Sequence, residues 1–229
     1  MEYLLNNKTT LLESSFFDRD AQLVARALLG KVVQHVVQGI WLQARIIETE
    51  AYYLEDKASH AWLGFTENRR ALFQTPGTIY MYYARGGDSL NFSCRGAGNA
   101  VLVKSGYPVL MKGEGSSSLQ IMQRNNPTLQ GKPRPLAKLC AGQTLLCRAL
   151  GLKVPDWNSC NLIQGKFQLG DDQYQPESII QTTRLGISAT RDSHLPYRFI
   201  DMKFATSCTK NPLSVRNWRN GHDYTILKA

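Results

Sequence analysis

From Glu48 to His60 the chain reads ETEAYYLEDKASH, directly after an extended apolar run. If that run is a strand continuing through Tyr52, side chains alternate with period 2, and Glu48, Glu50 and Tyr52 share one face. A carboxylate that takes a proton from water, set beside an aromatic plate, suits hydrolysis of something flat. Splitting an N-glycosidic bond needs such a base near the sugar carbon and a negative charge facing the oxocarbenium ion as the leaving group departs. One glutamate can serve both purposes, and Glu48 and Glu50 are the candidates. A lone glutamate at a strand end is ordinarily solvated or ion-paired, so its company decides. Tyr80 and Tyr82 share a face of a later strand and offer a second aromatic wall, from a neighbouring strand, for a sandwiched ring. Tyrosines are also good strand formers that simply pack. His60 has no second histidine near it, which argues against a metal role and for a hydrogen-bonding one.

Other chemistries find little support. There is no GxSxG elbow, P-loop or HExxH, and the Gly-rich stretches at 86–87, 96–98 and 113–115 lack the strand-before, helix-after setting of a dinucleotide site. The five cysteines (94, 140, 147, 160 and 208) form no CxxC, so structural zinc is not expected, and their odd number and wide spacing fit a reducing, intracellular setting. No secretory signal or membrane-spanning run is visible. The 27 Lys and Arg against 18 Asp and Glu give a net charge of +9, which suits a polyanion partner. Arg69, Arg70, Arg85, Arg95, Lys104 and Lys112 interleave with the aromatic-rich middle of the chain, as base stacking with phosphate contact requires.

The elements that must position these residues follow from punctuation and periodicity. Asp18 is predicted to cap a helix over residues 19–29 that Gly30 stops. Strands at 31–37 and 40–52 are joined by a tight turn at Gln38–Gly39. Pro76–Gly77 turns the chain into a strand at 78–83, Gly86–Gly87 make a hairpin or a loop tip, and residues 91–94 return as a strand. A strand at 100–106 follows. The polar stretch 113–134 reads as an exposed, flexible loop with a short helix near 119–124. A helix over 141–150 ends at Gly151, and strand-like runs at 178–183, 185–188 and 197–200 fill the last third. No repeat or linker divides residues 1–229. The expectation is one mixed α+β domain, a mainly antiparallel curved sheet with helices around it.

The motifs then align with something specific. RIIETEAY, His60, FQTPGTIYMYYARGG, Asn91 and AVLVK, in that order, resemble the alkyladenine (3-methyladenine) DNA glycosylase family. LCAGQTLLCRALGL, TRLGIS and PYRF extend the likeness over about residues 20–200. The resemblance implies Glu50 as the base that activates the hydrolytic water, with Tyr52, His60 and Tyr82 forming the pocket for a flipped base. It implies that Tyr80 orients the pocket histidine and that Asn91 disfavours guanine. It further implies a monomeric, monofunctional enzyme that works without metal or redox cofactor, binds damaged double-stranded DNA through the minor groove, and leaves an abasic site. Extrusion costs a few kcal/mol, least for a damaged base, and a cationic alkylpurine gains from tyrosine faces.

The chain departs from the family in three places. Arg85 stands where the family inserts a tyrosine into the duplex, with Tyr83 as a possible substitute. Lys104 replaces an arginine, keeping a phosphate contact without bidentate geometry. One residue is missing between Glu50 and His60, and another between Arg85 and Asn91. These departures keep a second reading in view, a lesion- or structure-binding module without turnover, and a third, an RNA-directed protein on the same scaffold.

Overall fold

The computed structural model describes residues 9–110, 115–162 and 165–228, with the side chains of 115 and 116 excepted. Its strands are β1 (Thr10–Leu11), β2 (Val32–Val37), β3 (Ile40–Tyr52), β4 (Ile79–Ala84), β5 (Gly87–Ser93), β6 (Ala100–Pro108), β7 (Phe167–Asp171), β8 (Ser178–Thr182), β9 (Arg198–Asp201) and β10 (Tyr224–Lys228). Its helices are α1 (Ala21–Leu28), α2 (Gly115–Asn125), α3 (Gln143–Leu150) and the single turn α4 (Val154–Trp157). All ten strands join one antiparallel sheet in the order β1-β7-β2-β3-β6-β5-β4, with β9, β8 and β10 branching from β3. The architecture is α+β, as the patterning predicts.

β3 is the hub. It pairs with β6 along most of its length. On its other edge it pairs first with β2, through Ile40–Arg45, and then with β9, through Glu48–Glu50. Between the two partners Ile46 bonds to the backbone of Gly30 and Lys31, and the β3–β6 register is irregular on either side of Glu48. An irregularity of this kind twists a strand and re-aims its side chains, and here it falls where the carboxylates lie.

Two two-residue turns set the registers. Gln38 (φ 54°) and Gly39 (φ 77°) join β2 to β3, and Arg85 (φ 50°) and Gly86 (φ 78°) join β4 to β5. Positive φ at both central positions matches the strand twist, which is why such turns close hairpins. The outer edge of β4 is not left open: Ile79 exchanges backbone bonds with Ser159 and Cys160, and Met81 donates to the Asn158 side chain. Covering an edge strand this way satisfies its ladder groups.

Helices α1 and α3 close the main core. Val24, Ala25 and Leu28 of α1 are buried, and the Thr49 hydroxyl donates to the Ala25 carbonyl at 2.8 Å. α3 lies close against the sheet because Gly106 has no Cβ; one there would sit 2.8 Å from Leu146 Cδ1 and 3.0 Å from Ala44 Cβ. The start of α3 touches the hairpin as well, since a Cβ on Gly87 would stand 2.8 Å from Thr144 Cβ. α3 ends on Gly151 in the left-handed region, where glycine carries no steric penalty.

Four expectations are corrected. α1 is capped by Asp20, whose carboxylate accepts from the backbone of Gln22 and Leu23; Asp18 is instead paired with Arg95. The stretch 113–134 is not mainly loop, because α2 runs from Gly115 to Asn125 and buries Ile121 and Met122 against the main core; residues 113 and 114 lie outside the described ones. Residues 185–188 form a turn rather than a strand, since Gly186 takes φ 74° and Arg184 is pinned to Asp56. The two tyrosine walls do not come from neighbouring strands: β6 and β5 separate β3 from β4, about 14 Å along a flat sheet.

Candidate active site

Those intervening strands form the floor of a cavity of about 600 Å³. Asn91 of β5 and Ala100 and Lys104 of β6 lie on the floor, with Tyr52 at one side and Tyr80 and Tyr82 at the other. His60, from the loop after β3, completes the aromatic side. Its Nδ1 lies 2.9 Å from the Tyr80 hydroxyl, and its ring meets Tyr82 edge-on at 4.3 Å. Tyr80 and Tyr82 stack at 5.5 Å. Burial, with Arg69 and Arg191 nearby, holds the His60 imidazole below its ordinary pKa, so it stays neutral over more of the acid range. The Asn91 amide nitrogen is committed to the Tyr80 carbonyl at 3.1 Å.

Glu50 is fully buried at the Tyr52 end. The Tyr52 hydroxyl donates to its Oε2 at 2.7 Å, Lys104 Nζ lies 3.3 Å from Oε1 and 3.4 Å from Oε2, and the Leu185 N–H points at Oε1 from 3.5 Å. Burial alone pushes a carboxyl pKa up. Here Lys104, then Arg198, with the hydrogen bonds from Tyr52 and Lys104, outweigh it and hold Glu50 below the usual carboxylate range. The Tyr52 phenol is pushed well above its ordinary value by burial and by the charge of Glu50, so it remains a donor. A buried carboxylate kept ionised in this way can accept a proton from a water brought next to it.

Glu48 takes a different place. It is fully buried against Arg198, also fully buried, and accepts from Ser105 and Thr209. The two carboxylates of the opening motif therefore part company at the irregularity in β3.

Arg85 sits at the tip of the β4–β5 hairpin, exposed, and also lines the cavity mouth. Its guanidinium lies over Gly186, where a Cβ would come within 2.8 Å of Nη2. Tyr83 is 63 % exposed and, by alternation, lies on the opposite face of β4 from Tyr82. Lys104 is drawn onto Glu50 in the cavity.

Residues that the motif reading gave no role also shape the site. Arg184, buried, pairs with Asp56, donates to the Ala51 carbonyl at 3.0 Å, and lies 4.6 Å over the Tyr52 ring. It fixes the turn that carries Leu185. Arg184 and Arg198 lie in TRLGIS and PYRF, so their presence was visible while their pairing with Asp56 and Glu48, over 100 residues away, was not. Gln143 and Thr144 at the start of α3 complete the wall. Among the described residues no group of three His, Cys, Asp or Glu side chains is placed to hold a metal ion, and the five cysteines are free thiols. No helix among them is long and apolar enough to cross a membrane.

The site thus combines an aromatic-walled cavity wide enough for a flat ring, a buried carboxylate behind the Tyr52 and Lys104 that line it, and an arginine-tipped hairpin at the mouth. Comparison with known proteins supplies the family. Residues 15–203 match the family described as Methylpurine-DNA glycosylase (MPG). A protein of Pseudomonas fluorescens (strain Pf0-1) named "Putative 3-methyladenine DNA glycosylase" is 59 % identical, covering 94 % of this chain and 93 % of its own. One of Pseudomonas aeruginosa (strain UCBPP-PA14), with the same name, is 57 % identical over 94 % and 90 %. One of the archaeon Methanoculleus marisnigri, again with that name, is 35 % identical over 82 % and 93 %. The chain belongs to the methylpurine-DNA glycosylase family.

Proposed function

We propose that this protein is a monofunctional, monomeric base-excision-repair glycosylase that acts inside the cell on double-stranded DNA. It approaches through the minor groove, rotates an alkylated or deaminated purine out of the stack, and hydrolyses its N-glycosidic bond to leave an abasic site. Glu50 takes the proton of the attacking water and its charge faces the oxocarbenium ion. Tyr52, His60 and Tyr82 hold the flipped base, Tyr80 orients His60, and Asn91 selects against guanine. Arg85 enters the space the base leaves, its flat guanidinium stacking where a ring would, with the exposed Tyr83 of the same hairpin as the substitute wedge, while Lys104 meets a DNA phosphate. No metal or redox cofactor takes part.

The observation that carries this reading is Glu50, fully buried yet held below the usual carboxylate pKa, directly behind the Tyr52 and Lys104 that line an aromatic slot. A solvated or merely structural glutamate needs no such slot. Glu50 has no exposed surface, and Tyr52 and Lys104 stand between it and the cavity, so a water comes next to it from that side as one of them moves. The test is single-turnover release of alkylated purine from duplex DNA. Wild type is expected to release it, and Glu50→Gln to lose at least about 100-fold, the usual weight of a general base, while still binding the duplex. Equal rates would refute the assignment. Salt-dependent binding without release by wild type would leave the binding-module reading in its place.

A further inference from the structure

Glu48 has no step in that chemistry, yet it anchors the bulkiest of the fully buried side chains, Arg198. Arg198 Nε donates to Glu48 Oε1 at 2.7 Å, and Nη2 donates to Thr209 Oγ1 at 3.0 Å and the Lys210 carbonyl at 2.8 Å. Nη1 finds no hydrogen-bond partner among the described residues. Glu48 also accepts from Ser105 Oγ, from Thr209 N at 3.1 Å and from Thr209 Oγ1 at 2.6 Å. A guanidinium held on so many sides cannot swing toward a substrate, and it cannot lose its proton.

The β3–β9 register places Arg198 directly opposite Glu50. Side chains opposed in an antiparallel ladder share a face, with Cβ atoms about 5 Å apart. The other groups around Glu50 differ in kind. Tyr52, on β3 itself, donates a neutral hydroxyl. Arg184, from the turn after β8, is paired with a carboxylate as Arg198 is, but it stands over the Tyr52 ring and is not opposite Glu50 in a ladder. Lys104, on β6, carries its charge on a flexible stem that lines the cavity, where an incoming phosphate competes for it.

We infer that Arg198 is a positioning residue for the base, a fixed counter-charge clamped by Glu48, that keeps Glu50 ionised whichever way Lys104 turns. The inference rests on the reading of Glu50 as the base. The lowered pKa of Glu50 is consistent with it, since after burial, which raises that value, Arg198 is second only to Lys104 among the opposing influences.

The experiment is the pH profile of single-turnover release of a cationic alkylpurine, whose departure needs no acid, so that the acid limb reports the base. Arg198→Met removes the charge and is expected to move the limb up by about one pH unit or more. Arg198→Lys, which keeps the charge, moves it less. Glu48→Gln leaves the guanidinium uncompensated, and its limb moves down. Opposite shifts in the Met and Gln variants are the expected result. Slower release with both limbs at the wild-type position shows a purely structural pair and overturns the inference while leaving Glu50 as base. If Arg198→Met does not fold, Glu48→Gln decides: a limb unmoved or raised overturns it. A wild type that releases no base overturns both readings together.

Discussion

Removing the Asp56 carboxylate tests whether the Asp56–Arg184 pair holds the turn over the catalytic slot. Both side chains are essentially inaccessible, at 2 % and 0 % exposure. Asp56→Ala leaves a guanidinium buried with the Ala51 carbonyl, the faces of Tyr52 and Tyr197 and the more distant charge of Glu50 as company. Breaking a buried ion pair from one side costs about 3–5 kcal/mol. The Ala51 carbonyl and the aromatic faces stay in place and keep the guanidinium from being wholly uncompensated, so the expected loss lies at the lower end, about 3 kcal/mol. For a chain of this size that lowers Tm by about 6–12 °C. The double variant Asp56→Leu/Arg184→Met removes both charges, and its loss should fall short of the sum of the single losses by about 2 kcal/mol or more, because the two residues are in contact. There is a functional consequence as well. Arg184 precedes Leu185, whose N–H points at Glu50 from 3.5 Å; loosening that turn removes one long hydrogen bond to a charged group, about 1.5 kcal/mol at the lower limit for such bonds, or about tenfold in base release. Denaturant unfolding and thermal melts give the first two quantities, and single-turnover excision well below the melting range gives the third. A single variant within about 1 kcal/mol of wild type, with additive effects in the double, would refute the reasoning.

Two further substitutions probe the cavity. Lys104→Met removes the nearer positive charge from Glu50. Since that charge lowers the Glu50 pKa, its loss raises it, and the acid limb of base release should climb by about 1–3 pH units, with Lys104→Arg restoring it; an unmoved limb sinks this account of the pair. Arg85→Ala removes the cation at the hairpin tip without touching Glu50. Duplex binding should weaken with the slope of log K against log salt reduced by about one, and release from a damaged duplex should fall more than release from a damaged single strand, because only the duplex has a stack to fill. Equal losses on both substrates would remove the wedge role.

The local chemistry was legible along the chain. The period-2 alternation through IETEAY placed Glu50 and Tyr52 on one face, and the 2.7 Å hydrogen bond between them follows from that register. Turn residues fixed the first hairpin at Gln38–Gly39 and placed the second one residue late, since its turn is Arg85–Gly86 and Gly87 already belongs to β5. What the chain could not carry locally was longer in range. The helix over Gly115–Asn125 was read mostly as loop, since Ser and Asn disfavour a helix in isolation and burial of Ile121 and Met122 outweighs that preference. β7 and β10 went unseen as strands because each is completed by a partner far away in sequence, β2 and β8.

The site divides along the same line. The sequence by itself determined which groups exist and which stand two residues apart: the carboxylates, the tyrosines of β3 and β4, His60 and the hairpin tip. Only the tertiary structure decided what surrounds each carboxylate. Glu48 and Glu50 are equivalent in a list of residues, and they became different when β9 brought Arg198 alongside both while β6 brought Ser105 to one and Lys104 to the other. A pKa depends on the charges and the burial around a group, and those come from strands more than 50 residues apart in the chain. The physical reason is that alternation is a property of one strand, whereas electrostatic environment is a property of the assembled sheet.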